Sequence, residues 1–544
     1  RAIVSSTSLE LGIDIGYIDL VVQLGSPKSV TRAIQRVGRA GHRLGEVSKG
    51  VFICSDRDDA VEVAIMLKEA MSGHLDRAHM PRNALDVLAQ HIAGMAIEQK
   101  WNVEEAYELV RRAYPYTDLD RKDFERVLRY LSGAYSQMEM YKVYGKIWYD
   151  PDEGVFGRRG KLARAIYSQN VGTIPDEVRV RVRTLGGKKL GSIEEEFLER
   201  LMPGDRFVLG GKVYEFVKTV RGFTAVVMPA YDEKPTVPSW FSEMLPLSYD
   251  LALEISRFRG KMFEWLEKGV RGQKIVDWIM KNCRADHNIA NAILQYFTEE
   301  WLYLKSRGVR KYPSDKVLMV EVFVDEDGKK YVVYHALFGR RVNDALSRAV
   351  AYLAGRRVRR NLGIIVGDHG FAIVYPPSVQ VHHSYLMDIK PEDLPSVLKK
   401  AVERTELFER RFRHVATRGL MLLRRYKGTE TSIRRRQFNA KKILEAVREL
   451  REFPMVKETF REILEDFMDV KNAMEVLRKI RKGEIQVVML RPTKVPSPFA
   501  HNIVLQGMSD IVLMESRRQM LARLHNMVMK VIQRESYAIQ NGDN

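Results

Sequence analysis

The sequence predicts a multi-domain chain of mixed α/β and α+β class: a partial parallel α/β lobe, a winged helix, then a large region of barrel-like strands, an α/β layer and helices. Three observations lead there. Apolar runs at 2–5, 19–24 and 50–54 are separated by helical spacing at 30–37, and strands alternating with helices build a parallel sheet whose ligands sit at the carboxyl ends of the strands. From 83 to 131 the apolar residues keep a 3.6 period in three short runs, followed by strand-like alternation at 141–144 and 146–149, the order of a winged helix. Val178-Arg179-Val180-Arg181-Val182-Arg183 alternates strictly, and Gly186-Gly187, Pro203-Gly204-Asp205 and Gly210-Gly211 punctuate the short strands around it, which suits a small bent sheet or barrel.

Composition narrows the partners. A formal charge of +19 over 544 residues points to a polyanion, because a basic surface attracts phosphate backbones and releases their counterions; an Arg-rich thermophilic protein would carry the same excess. Cys54 and Cys283 are the only cysteines, too few for a disulfide framework or a thiolate zinc site. No stretch approaches 18 uncharged apolar residues and no secretory signal opens the chain, so a cytoplasmic protein without a membrane partner is expected.

The elements follow in order. Thr7, Ser8 and Asp14 come after the first strand, at its ligand-binding end. Arg32, Arg36, Arg39 and Arg43 recur at spacings of four, three and four, so a continuous helix would set them on one solvated face. Gly38 and Gly41 argue against that helix, each costing about 1 kcal/mol relative to Ala in its interior; glycines beside arginines fit a backbone turning closely around a phosphate. A helix at 56–71 closes the lobe. Among the barrel-like strands (206–210, 213–220, 224–228) one helix is expected at 193–201. Trp240, in Pro235-Thr236-Val237-Pro238-Ser239-Trp240, either stacks on an unpaired base or is buried against the barrel. Helices at 251–268, 275–281 and 288–304 carry Trp265, Trp278 and Trp301 at core positions. A hairpin turns at Asp325-Glu326-Asp327-Gly328, a helix runs from 338 to near 353, and strands follow at 363–366 and 370–375. Arg356, Arg357, Arg359 and Arg360 form either a solvated turn or a phosphate contact. Beyond 391 the chain is mostly helical and basic, with a late strand at 485–490 and a last helix at 509–532. The expected boundaries are 1–75 for the lobe, 76–168 for the winged helix, 169–490 for a composite domain (strands 172–230, α/β 313–380, helical 391–482) and 491–544 for a terminal helix and tail.

Two motifs carry a resemblance. Ser6-Thr7-Ser8-Leu9-Glu10-Leu11-Gly12-Ile13-Asp14-Ile15-Gly16 resembles motif V of superfamily 2 helicases, and Gln35-Arg36-x-Gly38-Arg39-x-Gly41 resembles motif VI. With His42 after Gly41, the form is similar to the large helicase-related (Lhr) family, as are Pro81–Gln90, Val110–Tyr116 and Tyr167–Asp176. The resemblance implies that the lobe is RecA-like, that Arg36 and Arg39 act catalytically on a triphosphate, and that Gly12, Asp14, Gln35 and either His42 or Arg43 lie on the nucleotide side. It also implies that Thr7, Ser8, Val171 and Trp240 touch nucleic acid.

Other chemistry is set aside. Adjacent His382 and His383 on a strand point to opposite faces, Asp368-His369 alone makes no metal site, and no metal ligands are assigned. Neither a Gly-x-x-x-x-Gly-Lys-Ser/Thr loop nor an Asp-Glu-x-His box occurs, so ATP and its magnesium would be held mainly by a missing N-terminal segment. The expected function is the C-terminal part of an ATP-dependent 3′-to-5′ helicase acting on single-stranded or forked DNA, a DNA–RNA hybrid or RNA, in nucleic-acid repair or processing. By itself this part would be inactive as an ATPase. The alternative is a non-catalytic nucleic-acid-binding or annealing protein with a vestigial lobe.

Overall fold

A computed structural model describes residues 2–5, 10, 18–41, 47–135, 145–174, 179–194, 197–198, 201, 203–210, 212–220, 224–230, 245–382, 384–426, 428–431, 433–508 and 517–541. Parallel strands β1 (Val21–Leu24) and β2 (Gly50–Ile53) are linked through helix α1 (Val30–Val37) and followed by α2 (Arg57–Met71). Residues 2–5 join no ladder, contrary to expectation, and Val4 is 99% exposed. A strand needs a neighbouring strand to pair its backbone groups, and no described strand pairs with this run.

Helices α3 (Leu85–Glu98), α4 (Val103–Arg111) and α5 (Arg121–Ser132) pack with a three-stranded antiparallel sheet of β3 (Trp101–Asn102), which lies between α3 and α4, and β4 (Ile147–Asp150) and β5 (Val155–Arg158), which follow α5, in the order β3-β5-β4, a winged helix. The expected strand at 141–144 lies outside the described residues. Helix α6 (Ala163–Asn170) follows, then β6 (Arg179–Thr184), β7 (Lys189–Glu194), β8 (Arg206–Leu209), β9 (Lys212–Val220) and β10 (Thr224–Pro229), which form one sheet in the order β7-β6-β10-β9-β8. Only the start of the helix expected at 193–201 is taken by a strand: Ile193 of β7 pairs with Val180 of β6 and packs with Val182, Phe207, Phe216, Ala225 and Val227, while Phe197 and Leu198 are helical. Among the described residues β7 and β8 are edges, so this is a bent sheet with one apolar face and not a closed barrel.

Helices α7 (Tyr249–Glu267), α8 (Gly272–Cys283) and α9 (His287–Ser306) lead into β11 (Val317–Val324), β12 (Lys330–His335), α10 (Arg340–Val358), β13 (Gly363–Val366) and β14 (Phe371–Tyr375). Next come α11 (Tyr385–Asp388), α12 (Leu394–Val402), α13 (Glu406–Arg418), the short pair β15 (Arg425–Tyr426) and β16 (Thr429–Glu430), α14 (Ile433–Val447), α15 (Pro454–Arg461) and α16 (Val470–Arg481). Strand β17 (Gln486–Met489) completes a sheet β13-β14-β12-β11-β17, and α17 (His501–Met508) and α18 (Arg517–Asn541) end the chain. The last helix, expected from 509, is described only from Arg517. Helix α10 runs on through Arg356 and Arg357, with Arg359 as a left-handed cap at φ 53°.

By contacts the chain falls into two compact units, neither continuous in sequence: 1–78 with 241–394 and 469–544, and 79–240 with 395–468. The first has a core of Met66, Ile255, Met262, Ile279 and Phe297, in which Phe297 meets Phe263 and Phe499 edge-on or nearly so at 5.5 and 5.4 Å. Each such buried ring contributes about 1.5–3 kcal/mol relative to exposure. Trp265, Trp278 and Trp301 pack against this core, as expected. The second unit buries Leu88, Ala89 and Ile92 of α3 and Phe124, Val127 and Leu128 of α5. At its centre Arg418 joins Asp86, at 2.6 Å, to Glu462, and Arg461 joins Glu458 to Asp466, both at 2.7 Å.

Candidate functional site

Helix α1 carries the motif-VI arginines of the first unit. Ser29 caps it by accepting from Arg32 N; the helix ends at Val37, with the Gly38 N–H making the last helical bond to Ile34 O at 2.7 Å before the chain turns at Gly41. A Cβ at Gly38 would lie 2.9 Å from that oxygen, and Gly41 has φ +69° with Ser48 N where its Cβ would be. Arg39 sits in the turn beyond α1, so Arg32, Arg36 and Arg39 do not lie on one continuous helix. Arg36 donates from Nη1 to Gln23 Oε1 of β1 (2.9 Å) and from Nη2 to Glu10 Oε2 (3.1 Å); its side chain is 15% exposed and its Nε is buried without an acceptor. Among the described residues Arg39 makes only a bond from Nε to Gln35 O, at 3.2 Å, and Gln35 is exposed. One guanidinium is thus stored against a carboxylate and the other is available, an arrangement in which an incoming phosphate competes with Glu10 for Arg36.

The start of α1 is fixed by charges from elsewhere in the same unit. Asp76 accepts from Ser29 Oγ (2.7 Å), from Thr31 N (2.9 Å) and from Ser248 Oγ at the start of α7. Burial opposes the ionised form of Asp76, but these three donors outweigh it and hold the carboxyl below its ordinary range. Just before the helix, Lys28 (φ 65°) donates to Glu62 of α2 at 2.7 and 2.8 Å and lies 3.5 Å from Asp368. His369, in the β13–β14 turn, places Nε2 2.8 Å from Glu62 Oε1 and Nδ1 3.1 Å from Asp58 Oδ1. Burial favours a neutral imidazole and Arg259, 2.8 Å from Nδ1, works against a charge, yet the two carboxylates outweigh both and raise His369 to about 9. Desolvation likewise opposes the carboxylates, and His369 with Arg259 for Asp58, or Lys28 with His369 for Glu62, brings them below the ordinary range.

This network was not anticipated. His369 makes no metal site and stands buried between two carboxylates. The sequence signal was Asp58 and Glu62, four apart on one helix, with Glu62 set between Val61 and Val63; His383 lies outside the described residues.

In the second unit Val171 follows α6 and is 43% exposed. It is held on both sides: Asn170 Oδ1 accepts from Arg424 N (2.6 Å) and Arg425 N (3.0 Å), and Gln90 of α3 bonds Gly172 through both its amide atoms, at 2.9 and 3.1 Å. An apolar side chain is thereby presented to solvent on a pinned backbone. Thr7, Ser8, Gly12, Asp14, His42, Arg43 and Trp240 lie outside the described residues.

Among the described residues the only close grouping of three potential metal ligands is Asp86, Glu458 and Glu462 in the second unit, and arginines already occupy all three. Among the described residues no such grouping stands beside α1. No described helix is long and apolar enough to cross a membrane.

Family models match three segments: "Helicase conserved C-terminal domain" over 1–44, "Large helicase-related protein, winged helix domain" over 68–237, and "DEAD/H associated" over 312–500. The chain is 51% identical over 534 residues to the ATP-dependent helicase Lhr-Core protein 2 of Thermococcus barophilus, covering 98% of this chain and 60% of that protein. It is 49% identical to the ATP-dependent helicase Lhr-Core of Methanothermobacter thermautotrophicus, covering 98% and 61%. It therefore spans about three fifths of the length of these relatives. A solved structure of Mycobacterium smegmatis helicase Lhr bound to ssDNA and AMP-PNP matches with a TM-score of 0.70 at 27% identity, over 91% of this chain and 57% of that one. With the arginine helix, the winged helix and the segment after β10 all matched in order, the chain belongs to the large helicase-related (Lhr) family of superfamily 2 helicases.

Proposed function

We propose that this chain acts as the C-terminal portion of an ATP-dependent 3′-to-5′ helicase and translocase in nucleic-acid repair or processing, contributing arginines to ATP hydrolysis and surfaces to a single strand. The observation that carries the reading is Arg36, fixed on helix α1 beside β1, while Arg39 has no ion pair among the described residues. Phosphoryl transfer gains most from cations aimed at the charge that develops on the phosphate. In this account Arg36 leaves Glu10 for the triphosphate; Gly12, Asp14, Gln35 and either His42 or Arg43 line the nucleotide. Thr7 and Ser8 hold the strand's backbone, Val171 lies against a base and Trp240 stacks on one.

With neither a phosphate loop nor an Asp-Glu-x-His box in its sequence, this chain needs another segment to hold ATP and magnesium. Two measurements test the account. In a protein that also contains that segment, Arg36→Ala lowers kcat for ATP by about a thousand-fold or more while single-strand affinity is kept. The 544-residue chain alone binds single strands with steep salt dependence and hydrolyses no ATP. Unchanged kcat in the variant, or turnover by the pure chain, overturns it.

A further inference from the structure

The sheet β7-β6-β10-β9-β8 has a second face that the helicase reading leaves unused. Its apolar face is closed by Val180, Val182, Ile193, Ala225 and Val227. Residues directly opposite one another on paired strands share a face, so the registers Arg183↔Lys189, Arg183↔Val226 and Val226↔Lys218 set Lys189, Arg183 and Lys218 in one row across four strands on the other face. The next row, Ser192, Arg181, Thr224 and Val220, adds a fourth cation. At strand spacing of about 4.8 Å the first row extends about 14 Å. Arg181, Lys189 and Lys218 are exposed, and Arg183 is half-buried with Nε lacking an acceptor.

These four cations have no ion-pair partner among the described residues. The described carboxylate on the neighbouring row, Glu215, is taken by Arg206 at 3.4 Å. Like charges directly opposite each other weaken a sheet, so Arg183 facing Lys189 is a placement that folding alone disfavours. A linear array of unpaired cations fits a linear polyanion. A protein partner would instead need apolar anchors at the centre of its footprint, and these rows offer only the small Val220 and Val226.

We propose that this face binds the phosphodiester backbone of a single nucleic-acid strand, through Arg181, Arg183, Lys189 and Lys218, as a contact separate from Val171 and Trp240. The proposal rests on the reading above only in taking nucleic acid as what the chain acts on.

The test is the salt dependence of oligo-dT binding by the 544-residue chain and by the variant R181Q/R183Q/K189Q/K218Q. Each phosphate contact to a single strand contributes about 0.7 to the slope of log affinity against log salt, so the variant should lose about 3 from that slope and about ten-fold or more in low-salt affinity. Its thermal midpoint should hold or rise, since like-charge repulsion is relieved. Neutralising four exposed cations elsewhere, with K122Q/R271Q/K274Q/K281Q, should leave the slope within about 0.5 of the parent. If the quadruple variant does not fold, K189Q/K218Q, which alters only exposed side chains, should lose about 1.4. An unchanged slope in a folded variant overturns the proposal, and so does poly-glutamate competing as well as oligo-dT at equal charge, which would assign the face to an acidic protein. Failure of the unaltered chain to bind oligo-dT would instead overturn the helicase reading.

Discussion

In the first unit the buried charges meet on an imidazole, whereas in the second they meet on guanidinium groups. His369 lies between Asp58 and Glu62, and its proton can leave. Arg418 lies between Asp86 and Glu462, and Arg461 between Glu458 and Asp466; arginine keeps its charge throughout the accessible range. Both sets join segments remote in sequence into one unit. The difference is that the winged-helix unit is locked by arginines alone, while the unit carrying Arg36 adds to Arg259 and Lys28 a cation that basic conditions remove. That titratable set adjoins Lys28, the residue leading into the arginine helix.

The largest effect should come from breaking the permanent set. Arg418→Leu leaves Asp86 and Glu462 buried with reduced compensation, and removing one partner of a buried pair typically costs about 3–5 kcal/mol. Hydrogen exchange of α3 and α13 amides would read it as a loss of protection confined to the second unit. Full protection in the variant would show that the network is not what holds those helices.

The next effect concerns pH. A folded pKa of about 9 for His369, against its ordinary 6.5, means that the fold prefers the charged ring. Its contribution is complete below pH 6.5, shrinks as pH rises from there to 9, and is absent above; a difference of this size corresponds to about 3 kcal/mol. Protection of β12 and β14 amides should fall over that window. His369→Gln should lower protection at pH 6 and flatten the profile. An equally steep fall in the variant would place the titrating group elsewhere.

What could be read from sequence follows the distance over which each feature is determined. The end of α1 was legible because Gly38 and Gly41 act within a few residues, and the two faces of β6 because alternation is local. The helix expected at 193–201 was started too early for a similar reason: Ile193 belongs to the strand paired with β6, and a single apolar residue before three glutamates has no period to reveal that, whereas Phe197 and Leu198 are helical. His369 was opaque because its partner Glu62 stands 307 positions away. Nothing near either residue announces the other, and a buried His between acids looks in sequence like any loop His-Asp pair. The grouping of 79–240 with 395–468 was hidden likewise, since it depends on contacts such as Arg418 with Asp86.

The smallest predicted effect separates the roles of the cap and the network at α1. Ser29 accepts from Arg32 N, at 3.4 Å, and donates to Asp76. Ser29→Ala removes both, and loss of an N-cap costs about 1 kcal/mol. Asp76 keeps Thr31 N and Ser248 Oγ, and Lys28 keeps Glu62, so the helix should remain seated and Arg36 should still reach Gln23. The expected result is a small drop in thermal midpoint with the His369-dependent pH profile unchanged in shape. If Ser29→Ala instead abolishes that pH dependence, the cap and the imidazole form one cooperative element, and the buried charges of the first unit reach the arginine helix through Ser29 rather than through Lys28.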